Sequence, residues 1–349
     1  MFVGNVRRII RGGLVGHFLR LLKTDEVRHY MSRLRPQHEE IRRRFAAYSD
    51  PYRPGQYKQS MAPQKAIFVT GRFRSGSTLL WNIFRNLEGY TAYYEPFNER
   101  RWFDQEQRGD HTDGTHRGVS EYWSEYGGLS VLGRHYSEDW IRHNLYMDED
   151  AFDLPMKAYT DTLIMAAKGR SVLQFNRTDF RLGWLRANYP DASIVHIYRN
   201  PRDQWCSVLQ DINVYPHNAI GAKGFPDHFY LNVWCRDLCC QFPFLTDYAG
   251  HHQYYLFYLL WKLSYCFGRH YADISVGMEE LTDEPKKTVK AILDAVGSTE
   301  SSQAGEADLS FIKPSVSRWK EYAAESWFQP IEDECEAVIK EFLIAEPIK

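Results

Sequence analysis

Residues 65–81 read KAIFVTGRFRSGSTLLW. Residues 66–70 are a short apolar, partly β-branched run, the pattern of a buried strand. Gly71 interrupts it, and Leu79, Leu80, Ile83, Phe84 and Leu87 then recur at helical spacing. Between strand and helix lies the loop Gly71, Arg72, Phe73, Arg74, Ser75, Gly76, Ser77, Thr78. A glycine-bearing turn from a buried strand into a helix N-terminus makes an anion site. Unpaired backbone N–H groups point outward there and the helix dipole adds positive potential. A plain corner does not need two arginines, two glycines and three hydroxyls.

The loop nearly matches the nucleotide motif GxxxxGK[ST]: Gly71, Gly76 and Thr78 fit, but Ser77 stands where the motif has lysine. That lysine reaches the β- and γ-phosphates, so its loss argues against hydrolysis of a nucleoside triphosphate. The positive charge sits instead at Arg72 and Arg74. On these residues the stretch RSGSTLLWNIF resembles the 5′-phosphosulfate loop of sulfotransferases that use 3′-phosphoadenosine 5′-phosphosulfate (PAPS). The arginine form is similar to the carbohydrate and tyrosylprotein branches; the cytosolic small-molecule branch usually has lysine at the position of Arg74.

Two later stretches extend the resemblance. Residues 193–198, SIVHIY, read as a buried strand that leads into Arg199, Asn200, Pro201, Arg202, Asp203 and on to Ser207. This resembles the family's 3′-phosphate element, with Arg199 and Ser207 at the matching positions; arginine can grip a phosphate bidentately and the hydroxyl adds a donor. Arg318, Trp319 and Lys320 resemble the C-terminal RWK element, whose cations close over the same phosphate.

A hydroxyl acceptor needs a base as its oxygen attacks sulfur. Residues 90–97, YTAYYEPF, form a strand-like run ending at Pro96, with Glu95 at the end that should open on the same crevice. Glu95 is the expected base, on the condition that an apolar environment raises its pKa. It lies 21 residues after Arg74, a step similar to the family's. Glu99 is the reserve, and Glu99, Arg177 and Arg202 are the candidate acceptor-side residues. The resemblance implies that Arg72, Arg74, Ser75, Gly76, Ser77 and Thr78 serve the 5′-phosphosulfate. It implies that Arg199, Ser207, Arg318, Trp319 and Lys320 serve the 3′-phosphate, and that no metal is needed.

Composition bounds the remainder. The 349 residues are 44% hydrophobic and 25% charged, the values of a globular protein, and the net charge of −2 gives no pull toward nucleic acid. Six cysteines show neither zinc spacing nor a small-scaffold disulfide pattern, which fits a reducing compartment. No run approaches the roughly 18 apolar residues of a membrane span, and no secretory leader is apparent, so a cytoplasmic enzyme is expected. The first 60 residues hold 13 Lys+Arg against 5 Asp+Glu, a net +8 that leaves −10 for the rest. Val6, Ile9, Ile10, Leu14, Phe18, Leu21 and Leu22 share a helical face opposite Arg7, Arg8, Arg11, Arg20 and Lys23. Such a helix can pack on its own domain, on a partner subunit or on an anionic membrane. Residues 100–150 carry histidines at no metal-binding spacing and read as irregular, substrate-covering structure.

The expectation is an α/β fold: a P-loop-type parallel β-sheet flanked by helices over residues 61–349, with a substrate-side insertion at 100–167 and a basic helical extension at 1–60. The expected reaction is in-line sulfuryl transfer from PAPS, with PAP (3′-phosphoadenosine 5′-phosphate) as product, to a hydroxyl of a carbohydrate or small molecule. Sugar, lipid-linked sugar, tyrosine and small alcohol all stay open as acceptors. The alternatives are a P-loop nucleotide phosphotransferase, which predicts magnesium-dependent ATP binding, and a non-catalytic PAP-binding, membrane-associated scaffold.

Overall fold

The computed structural model describes residues 65–110, 113, 116, 118–246, 250–298, 309–312 and 317–344. All belong to the second of the two units into which the chain divides, Tyr57–Lys349. The basic extension expected at 1–60 lies outside the described residues.

Five strands form one parallel sheet: β1 (Ile67–Thr70), β2 (Tyr90–Tyr94), β3 (Arg170–Phe175), β4 (Ser193–Tyr198) and β5 (Ile274–Gly277), in the order β2-β3-β1-β4-β5. Ile67 stands opposite Val172 on one side and Ser193 on the other. The β1 residues are buried throughout, as a central parallel strand covered on both faces must be. The chain leaves β1 toward one edge and later crosses to the other. That makes the carboxyl end of β1 the topological switch point, where open α/β sheets place their ligands.

The helices are α1 (Ser77–Arg85), α2 (Asp139–Arg142), α3 (Leu154–Ala166), α4 (Leu182–Asn188), α5 (Pro201–Leu209), α6 (Leu231–Leu238), α7 (Gln253–Tyr271), α8 (Met278–Asp283), α9 (Pro285–Ala295), α10 (Trp319–Tyr322) and α11 (Glu325–Ile344). The strands expected from apolar runs are present, with ends shifted by a residue or two. Two helices differ from expectation. The first, α3, falls at the end of the stretch read as insertion; its mixed pattern gives no single apolar face, and Asp153 caps it by accepting from the Met156 N–H at 2.9 Å. The second, α11, runs through Pro330, a residue that ordinarily ends a helix. A mid-helix proline costs about 3 kcal/mol. Here Phe328, Glu332 and Cys335 on the same helix are buried and hold it in place.

One apolar cluster surrounds the sheet; a second is built from α5, α6, α7 and α11 around Trp205, Trp234 and Tyr254. Helix α2 and the two residues after it are fastened by the buried side chain of Arg181, whose guanidinium donates to the carbonyls of Trp140, His143, Asn144 and Arg177 at 2.8–3.1 Å.

Two buried histidines make stability depend on pH. His196 lies in β4 under α7, and His252 caps α7 by accepting from the Tyr254 N–H at 3.0 Å. Burial lowers each pKa from 6.5 to about 4. The folded values lie below the unfolded one, so this contribution is complete above about pH 6.5 and is lost progressively as pH falls toward 4. Each histidine is expected to contribute on the order of 2–3 kcal/mol over that window. His252→Asn keeps a capping acceptor and removes one titrating group. Urea titrations between pH 7 and 4 should show a flatter loss for His252→Asn; an unchanged slope would exclude His252 as a source.

Candidate active site

The carboxyl ends of β1, β2, β3 and β4 open on one cavity of about 730 Å³. Its floor is the loop between β1 and α1. Gly76 is the N-cap of α1 in a left-handed conformation, φ 98°, which a glycine adopts without the strain any side chain would bring. No side chain caps α1 and no acid occupies its first turn. The helix therefore presents unneutralised N–H groups together with the hydroxyls of Ser77 and Thr78, both on the cavity wall.

The loop is fastened to α5 by three contacts. Arg74 Nε donates to Ser207 Oγ at 3.0 Å, Arg199 Nη1 donates to the Arg74 carbonyl at 3.4 Å, and Gln204 Nε2 donates to the Phe73 carbonyl at 2.8 Å. Residues 133 positions apart thus share one wall. Arg74 also reaches Asp113 at 3.4 Å. Arg199 Nε is buried with no hydrogen-bond partner, and burial lowers this arginine's pKa against the opposing pull of Asp203.

On the other wall stands Glu95, buried at the end of β2. Its Oε2 accepts from Asn98 and from Arg177 Nη1 at 2.9 Å, and its Oε1 accepts from Asn176. The apolar setting expected for this carboxylate is absent: β3 delivers Asn176 and Arg177 beside it, because β3 lies between β1 and β2 in the sheet. Arg177 bridges to Glu99, donating from Nη2 at 2.6 Å, and Tyr230 donates to the other Glu99 oxygen at 2.9 Å. Burial alone would raise the Glu99 pKa; the Arg177 charge, a backbone N–H and the Tyr230 hydroxyl together outweigh it, and the net shift is downward. Burial likewise disfavours the Arg177 cation, but Glu95 and Glu99 reverse that and raise its pKa. Tyr94 lies against this cluster and shares a 3.2 Å hydrogen bond with Thr78. Burial, then the Glu95 charge, raises its pKa well above 10, so it stays a neutral phenol.

Arg74, Glu95, Gln210 and Tyr230 all have positive φ (67°, 38°, 63° and 62°) without being glycine, and all line the cavity. Such strain gathers at functional sites.

Of the residues expected from sequence, the cavity brings together Arg74, Gly76, Ser77, Thr78, Glu95, Glu99, Arg177, Arg199 and Ser207. Others are placed elsewhere. Arg72 turns inward, 3.4 Å from the buried Asp179 and 5.0 Å over the Trp234 ring of α6, which together give its cation a buried partner. Ser75 is buried behind the loop. Arg202 is spent on Glu332, giving 2.8 Å contacts to both of its oxygens, and does not face the acceptor side. Arg318, Trp319 and Lys320 stand outside the lining; Arg318 Nη2 comes 3.5 Å from the carbonyl of Gln210, which is part of it.

Sequence reading missed Tyr94, Asn98, Asn176, His116, Tyr230 and Met278 on the walls. Asn176 was findable, since it ends a strand next to β1. His116 was not: it arrives from an irregular segment, donor and acceptor roles shared with the Tyr122 hydroxyl at 2.6 Å.

A family model described as the sulfotransferase family matches residues 66–240, half of the chain. The chain belongs to the sulfotransferase family. None of the curated proteins matches this sulfotransferase. Among solved structures, it is similar to sulfotransferase STF9 from Mycobacterium avium (14% identity, TM-score 0.42, covering 82% of this chain and 78% of that one). It is also similar to a sulfotransferase from Alicyclobacillus acidocaldarius (14% identity, TM-score 0.37, 81% and 97% covered). A third is the sulfotransferase domain of the Synechococcus PCC 7002 olefin synthase (15%, TM-score 0.38, 82% and 96%). The matched residues run from β1 through α6, so they include both cavity walls. Among the described residues no helix is long and apolar enough to cross a membrane, and no cluster of three or more His, Cys, Asp or Glu is arranged to hold a metal.

Proposed function

We propose that this sulfotransferase takes the sulfuryl group from PAPS and passes it to a hydroxyl of a carbohydrate or small molecule, with Glu95 as general base. The observation that carries the reading is the union in one cavity of two basic elements, Arg74 with the α1 N-terminus and Arg199 with Ser207, facing a buried glutamate. The donor set suits a nucleotide bearing two separate anionic groups: an uncapped helix start at one end and a partnerless buried Arg199 Nε at the other. Ser77, Thr78 and the first-turn N–H groups would hold the 5′-phosphosulfate; Arg199, Ser207, Arg318 and Lys320 would hold the 3′-phosphate. Arg74 would stabilise the charge that develops between them. PAPS supplies the activated sulfuryl group.

Glu95 can act while still anchored. A carboxylate has about four acceptor sites. Oε2 takes two donors and Oε1 takes one, from Asn176; the remaining site, which the Tyr94 hydroxyl also approaches, is where an acceptor hydroxyl would bind. The cytoplasm is the proposed compartment, since Cys206, Cys235, Cys266 and Cys335 are free thiols.

Isothermal titration with PAP, and separately with ATP plus magnesium, tests the donor. Tight PAP binding, lost by about tenfold or more in Arg199→Ala, is expected. Magnesium-dependent ATP binding without PAP binding would make a phosphotransferase the better reading.

A further inference from the structure

The motif after β4 contains two residues that the cavity does not use, Arg202 and Asp203. Both are buried. Asp203 lies in the first turn of α5, four residues before Ser207 and on the same helix face. Its Oδ1 accepts from the backbone N–H of Arg318 at 2.8 Å and of Trp319 at 3.4 Å. These are the first N–H groups of the single-turn helix α10, which has no side-chain cap of its own. A carboxylate 115 residues away therefore does the capping.

Arg202 works on the same segment from the other side. Its guanidinium lies 4.9 Å from the Trp319 ring and 5.2 Å from the Phe328 ring while its fork grips Glu332 of α11. Glu332 is held further by the Tyr254 hydroxyl at 2.7 Å. The segment with Arg318 and Lys320 is thus clamped to the helix that follows Arg199 and presents Ser207, and Arg318 Nη2 ends 3.5 Å from the Gln210 carbonyl on the cavity rim.

We propose that Asp203, seconded by Arg202, is a positioning residue for donor recognition: it holds the Arg318–Lys320 segment where those cations can reach the 3′-phosphate. The proposal rests on the PAPS reading above. It requires Asp203 to matter for the 3′-phosphate and not for the rest of the nucleotide, which a general folding role would not produce.

The test compares affinities for PAP and for 5′-AMP, which lacks the 3′-phosphate, by isothermal titration of the full chain. Asp203→Ala should weaken PAP by about 10–50-fold while 5′-AMP stays within about twofold. Asp203→Asn retains an acceptor oxygen and should restore most of the PAP preference. Arg318→Ala, a change at a half-buried side chain, should lower the same ratio, and Asp203→Ala added to it should cost little more. An unaltered PAP to 5′-AMP ratio in Asp203→Ala, or in Arg318→Ala should Asp203→Ala fail to fold, overturns the positioning role. A wild type with no preference for PAP over 5′-AMP sinks the PAPS reading itself, and the positioning role with it. Equal weakening of both ligands would show that Asp203 serves the fold alone.

Discussion

Glu95→Gln is expected to lower turnover by about 10²–10⁴-fold, the range of a general base, while PAP affinity stays within about twofold. The reason is geometric. Gln keeps the shape and one acceptor oxygen, which can still take the Asn98 and Arg177 donors, while its NH2 group faces Asn176. What is lost is a group able to take a proton from the acceptor hydroxyl. Arg177 keeps Glu99 as its ion partner at 2.6 Å, which limits the damage of removing one charge from the pair. The measurement is PAP release from PAPS with a panel of phenols and monosaccharide glycosides, alongside PAP titration of the same variant. Turnover within threefold of wild type, a loss of less than about 0.7 kcal/mol in transition-state stabilisation, would remove Glu95 from the base role.

Arg181→Met is expected to cost about 3–5 kcal/mol of stability, the scale of breaking a buried charged network. Arg181 is fully buried and spends its guanidinium on four backbone carbonyls. Burial lowers its pKa to about 10, still protonated at neutral pH. Methionine fills similar space but leaves the carbonyls of Trp140, His143, Asn144 and Arg177 without that donor. One of the four belongs to the residue that anchors Glu95, so the loss reaches the active site. Arg181→Lys keeps the charge but offers a single nitrogen in place of a planar fork, and should recover only part of the loss. Urea unfolding of the three proteins at pH 7 decides it. A loss under about 1 kcal/mol for Arg181→Met, the scale of an ordinary surface hydrogen bond, would mean that water replaces the guanidinium at those carbonyls.

The elements legible in the sequence were those whose signal is local. β1, β4 and β5 are continuous apolar runs, and the loop before α1 announces itself by glycines, hydroxyls and arginines within eight residues. Arg199 and Ser207 could be read because strand, turn and helix are adjacent in the chain. α3 was not legible, since its residues show no single apolar face. Pro330 is a local signal against helix, yet packing of Phe328 and Glu332 outweighs the cost of a proline inside α11.

By itself the sequence determined the strand, loop and helix at residues 66–85, the parallel α/β class and the residues of the two basic elements, because each depends on the order of side chains along a few neighbouring positions. Only the tertiary structure decided what each charge faces. Arg72 and Arg74 are two residues apart in the same loop, yet one pairs with buried Asp179 and the other lies in the cavity. Arg199 and Arg202 stand in one motif, yet one lines the cavity and the other grips Glu332. Glu95 was expected in an apolar setting and stands among two asparagines and an arginine, because the sheet order inserts β3 between β1 and β2. The charged partners of Arg72, Glu95 and Arg202 are set by contacts more than 75 residues apart. Spacing along the chain carries no signal of such a contact.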